Sequence, residues 1–128
     1  MKYIRTKDRL FQIESISEPT YITGRGEMVA FSYCDKYNDR RVGECLSKNV
    51  KQADTIEELC DEYVVELGNG THRFVGSLSG KGKGGITWYR QRNYKIVAIY
   101  GAIWTNKGLI YVAKMNSKGD LELLWVKQ

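Results

Sequence analysis

Apolar and polar positions change rhythm several times along the chain, and most changes mark a hairpin. Residues 3–13 carry apolar side chains on both flanks of a polar centre at Lys7-Asp8, the pattern of a short β-hairpin. Pro19 and Gly24 break the following stretch, so 15–26 reads as a connection. Met28–Cys34 alternates, with Val29, Phe31 and Tyr33 on one face of a strand. The polar run 35–41 is turn-like, and 41–46 returns as an edge strand.

A 3.6-residue rhythm then replaces the period of two. Ile56, Leu59, Cys60 and Tyr63 make one apolar stripe over 54–63. Thr55 with Glu58, or Asp54 with Glu57, has the spacing of a capping box. Early carboxylates suit the positive end of a helix dipole. The pattern predicts one short helix, too short to stand alone and therefore docked on a sheet. Residues 63–65 lead on into a strand.

After the Gly68-Asn69-Gly70 turn, a short strand is expected over 72–78. A glycine-rich loop fills 79–85, and an alternating strand is expected over 86–92. Residues 96–104 are apolar on both faces, as a central strand requires. Turns at Asn106-Lys107-Gly108 and 116–119 separate it from strands at 109–115 and 121–126, a three-stranded meander. The fold class is α+β: an antiparallel sheet of hairpins with a C-terminal three-stranded meander and one short helix packed on the sheet. No repeat of solenoid length occurs.

A length of 128 residues suits one domain, 1–128. With 42% hydrophobic and 27% charged residues and one proline, the composition is globular rather than disordered. No long apolar run follows Met1, so no signal peptide is expected, and 96–104 is too short to span a bilayer. Three cysteines, Cys34, Cys45 and Cys60, are an odd set and suit free thiols in a reducing cytoplasm.

Charge changes the picture most. From Leu67 to Gly119 there is no Asp or Glu, against nine Lys and Arg; residues 1–66 hold 10 Lys and Arg against 13 acids. Lys81, Lys83, Arg90, Arg92 and Lys95 interleave with Trp88, Tyr89 and Tyr94. Cations beside flat rings suit phosphate contact with base stacking. The glycine-rich loop would let backbone amides approach a phosphate, although it lacks the Ser or Thr of a Walker loop. The plain alternative is a solvated face neutralised by the acidic helix.

Other chemistry is weakly signalled. His72 is the single histidine, with no acid near it in sequence, and a hydrolase would need a base oriented by an acid beside a nucleophile. Cysteine gaps of eleven and fifteen residues do not fit zinc spacing. The helix acids Glu57, Glu58, Asp61 and Glu62 read as a solvated face or an acidic contact surface. No catalytic residue, metal or cofactor is expected.

Three stretches, 1–8, 52–64 and 101–116 (GAIWTNKGLIYVAKMN), resemble small proteins of Firmicutes phages, prophages and plasmids. The likeness leaves out about 68–95, where the basic cluster lies, and the group has no activity to carry over. It implies a mobile-element accessory protein in a bacterial cytoplasm, of the kind that counters host defence as anti-CRISPR proteins do. The expectation is a non-enzymatic binding protein that blocks a host protein or a host protein–nucleic acid complex through its basic face, without a membrane. A stand-alone nucleic-acid or nucleotide binder is the first alternative. An inhibitor acting through Glu58, Asp61 and Glu62 is the second.

Overall fold

The computed structural model describes residues 2–76, 78 and 86–124. The chain is mostly antiparallel β-sheet with one short α-helix, and it gathers into two compact units, 2–59 and 60–124 among the described residues.

The first unit holds β1 (Tyr3–Arg5), β2 (Leu10–Ile16), β3 (Thr20–Ile22), β4 (Gly26–Cys34), β5 (Arg40–Leu46) and β6 (Lys51–Ala53). Their order is β3-β4-β2-β1-β6, with β5 on the other side of β4. The β1–β2 hairpin closes where the polar centre put it, with the Thr6 N–H donating to the Arg9 carbonyl at 3.0 Å. The expected connection over 15–26 is corrected: it contains the end of β2 and the whole of β3. Pro19 stands just before β3, where a missing N–H costs no ladder bond. Gly24 and Gly26, at φ +82° and +98°, make the tight turn back into β4. Ile4, Phe11 and Phe31 form the core of this unit, with Ile13, Tyr33, Cys45 and Val50 packed around them.

The β4–β5 turn is knotted by one carboxylate. Asp35 Oδ1 accepts the N–H groups of Tyr37 and Asp39, and Oδ2 accepts Arg41 Nε at 3.0 Å. The Asp39 N–H first, and Arg41 with it, hold this carboxyl below the ordinary range. A carboxyl lowered in the folded state stabilises above its unfolded pKa and loses that contribution as pH falls through its folded value. Wild-type protein is therefore expected to melt higher than Asp35→Asn near neutrality, with the gap closing below about pH 4. Thermal melts across pH test this, and a gap independent of pH would contradict it.

The helix expected over 54–63 is replaced by a single 3₁₀ turn, Glu57–Leu59. Its capping pair forms: the Glu58 N–H donates to Thr55 Oγ1, and the Thr55 N–H donates to Glu58 Oε2 at 3.1 Å. Propagation fails because β-branched Val64-Val65 belong to a strand that begins at Glu62. Ten residues of helix cannot outweigh that ladder.

The second unit holds β7 (Glu62–Leu67), β8 (His72–Val75), α1 (Ile86–Gln91), β9 (Ile96–Thr105), β10 (Gly108–Met115) and β11 (Leu121–Leu123), in sheet order β11-β10-β9-β7-β8. β9 is central and its inner residues are buried, as its two apolar faces require. A β-carbon on Gly101 would lie 2.6 Å from Cys60 Sγ, so this position in β9 admits only glycine without a shift.

The strand expected over 86–92 is corrected to α1. Ile86 and Tyr89, three apart, both pack on a cluster of Val65, Leu67, Val75 and Ile99. A strand would have turned them to opposite faces. The helix ends in a Schellman motif: Tyr94 N–H donates to the Tyr89 carbonyl, Asn93 N–H donates to that of Arg90, and Asn93 takes φ +62°.

Candidate anion-binding surface

The surface is built outward from α1. Ile86 and Tyr89 anchor the helix, which leaves Trp88 half-buried and Arg90, Arg92, Tyr94 and Lys95 exposed. The three rings are in mutual contact. Trp88 meets Tyr89 edge-on at 4.9 Å and stacks with Tyr94 at 6.1 Å, and Tyr89 meets Tyr94 at 5.4 Å. The Arg92 guanidinium lies 4.3 Å above the Trp88 ring. Such a contact fixes a cation in place without neutralising it. Trp88 thus already has partners and acts as a mount, and Tyr94, 47% exposed, is the ring open to a ligand.

Lys95 is held by its backbone and its stem. Its carbonyl accepts the Gly68 N–H at 2.9 Å, and its side-chain carbons run close over Gly68. Arg90 and Tyr94 border a hollow of 330 Å³ whose other walls include Ile96, Val97, Met115 and Asn116. Lys81 and Lys83 lie outside the described residues.

Sequence reading did not find Val97, Met115 or Asn116. Val97 was placed in a uniformly buried strand; it is 54% exposed because the β7–β9 register shifts between Glu66 and Leu67. Met115 and Asn116 reach the hollow through the β9–β10 pairing, which no local pattern reveals.

Among the described residues no carboxylate lies within ion-pair distance of Arg90, Arg92 or Lys95. Residues 60–124 carry nine Lys and Arg against five Asp and Glu, net +4. Four of those acids, Asp61, Glu62, Glu66 and Glu122, are engaged elsewhere. Asp61 accepts the Trp104 N–H and Glu62 accepts its indole N–H. Glu122 accepts the Asn116 amide. With no helix at 54–63, Glu58, Asp61 and Glu62 do not share a helical face. Glu58 is bonded to Thr55.

His72 does meet an acid, which the sequence spacing concealed. It pairs in register with Glu66 across β7–β8, with Nε2 3.4 Å from Oε1. The Tyr100 hydroxyl donates to the same oxygen, and Tyr100 stacks on Tyr111 at 4.7 Å. Burial first, and Glu66 second, push the Tyr100 phenol up, which keeps it a proton donor. Neither this hollow nor a second one of 280 Å³ beside Phe31 and Gly43 includes His72.

Cys34 donates to Glu14 Oε1 at 3.1 Å, and that bond raises its pKa, the reverse of an activated thiolate. Among the described residues no group of three His, Cys, Asp or Glu could hold a metal ion, and no helix is long and apolar enough to cross a membrane. The sequence matches no protein-family model, and no curated protein or solved structure is significantly similar to it.

Proposed function

We propose that the chain is a non-enzymatic binding protein whose second unit takes nucleic acid on the α1 surface. The observation that carries this reading is the Arg92 guanidinium mounted on Trp88 beside the exposed Tyr94 ring, with Arg90 and Lys95 nearby in sequence and no acid within ion-pair reach of any of the three among the described residues. Cations contribute phosphate contacts that any sequence satisfies, and an open ring contributes stacking on a base face. Single strands fit this division of labour better than duplexes, because their bases are free to stack.

The resemblance to phage and plasmid proteins gives this binding a use. In a bacterial cytoplasm the chain would occupy the nucleic-acid component of a host defence complex, an anti-CRISPR type of action. Lys81 and Lys83, by their place in sequence, are proposed to extend the same basic surface.

Binding of a labelled single-stranded oligonucleotide is expected to weaken steeply with salt. Arg90→Gln with Arg92→Gln should lower the slope of log affinity against log salt by about 1.4, at about 0.7 per lost phosphate contact. Tyr94→Ala should cost about 1–3 kcal/mol of affinity with the slope unchanged. Absence of binding at low salt, or variants that bind as wild type, would sink the assignment.

A further inference from the structure

A sheet edge carries unpaired N–H and C=O groups that template another strand unless the edge is short, covered or blunted. Among the described residues this chain has five free edges, and four are short: β3, β6 and β11 have three residues each and β8 has four. β5 stands apart. It runs for seven residues, pairs only with β4, keeps its register throughout and contains no proline.

Alternation sets Arg40, Val42 and Glu44 on one face of β5, opposite Cys34, Ser32 and Ala30 of β4. Val42 is 71% exposed. The order cation, apolar, anion at every second residue is complementary to its own reversal. When a second β5 runs antiparallel with Val42 against Val42, Arg40 of each copy faces Glu44 of the other. On the opposite face Arg41 then faces Gly43, which has no side chain to collide with it. A single two-fold axis perpendicular to the sheet generates all these pairs, the isologous arrangement usual for dimers.

We propose that two copies of this chain pair through β5 and join their first-unit sheets edge to edge. Each cross-strand pair adds to the main-chain ladder, as facing opposite charges and β-branched residues do in antiparallel sheets. Arg40 and Glu44 have in-chain partners, Glu14 at 3.5 Å and Arg25 at 2.9 Å, but these pairs are exposed and their carboxylates accept a second cation without releasing the first. One strand pair buries less than a standard interface, so the dissociation constant is expected between about 1 µM and 1 mM. The proposal is independent of the nucleic-acid reading, which concerns the second unit.

Sedimentation equilibrium of the full chain tests it. Wild-type protein should approach twice 14.7 kDa as concentration rises to about 1 mM. Arg40→Glu and Glu44→Arg should each remain monomeric, since each sets like charges across the axis. An equimolar mixture of the two, and the Arg40→Glu/Glu44→Arg double variant, should dimerise again. Val42→Arg, at an exposed site, should be monomeric and give an unchanged circular dichroism spectrum. A wild-type chain that stays monomeric, or a dimer that persists in both single charge variants, overturns the proposal.

Discussion

Replacing Phe31 with alanine is expected to destabilise the chain by about 3–5 kcal/mol, the range for removing a buried aromatic. The ring is 4% exposed and lies 4.9 Å from Phe11 and 5.9 Å from Tyr33. The third side of its pocket is Gly43, directly across the ladder. A β-carbon there would come within 2.5 Å of the ring, so the phenyl group occupies the space that any other residue at 43 would need. Without the ring, three walls lose their partner at once and the backbone of β5 cannot fall in to fill the gap. Urea unfolding of the full chain measures the loss. A change under about 1 kcal/mol would show that the site collapses and that the aromatic cluster is not what holds this unit. Gly43→Ala approaches the same contact from the opposite side and should cost about 1–3 kcal/mol by overpacking.

Ile86→Ala is the second large effect, and it should appear in two measurements. Ile86 is 1% exposed and joins α1 to Val65, Val75 and Ile99. Truncating it should cost about 2–5 kcal/mol. A helix of six residues has almost no stability of its own. The variant should therefore lose amide-exchange protection over 86–94 before it does so in β9. Oligonucleotide affinity should fall along with that protection, although no charge has been altered. Weakened protection with unaltered affinity would detach the binding surface from α1 and refute its placement there.

The hairpins were legible because their turns carry the residues that turn geometry demands: Gly108 and Gly119 take φ +104° and +88°, and Asn116 caps its own turn through Oδ1. β4 was legible from its alternation and β9 as an apolar run. The helix expected over 54–63 and the strand expected over 86–92 failed for one shared reason. Over a few residues, spacings of two, three and four overlap, and the deciding contacts lie far away in sequence. Val64 and Val65 were drawn into a ladder with β9, which ended the turn begun at Thr55. Ile86 and Tyr89 found a core built from β7, β8 and β9, which turned an alternating hexapeptide into a helix. Its terminator is Asn93 rather than glycine, a weaker signal in sequence. The cations of the candidate surface were visible as an acid-free run. Their relation to Trp88, and the far wall of the hollow at Met115, depend on tertiary placement that composition does not encode.

The dependence of α1 on strands that follow it has a consequence for synthesis of the chain. A ribosome from which only residues 1–95 have emerged has already exposed every cation assigned to the surface, yet Ile99 and Met115, against which the helix and its hollow are formed, are still inside the exit tunnel. Nascent chains at that stage should carry the charge without the fixed rings, and ordered recognition should be acquired only when residues 96–115 emerge.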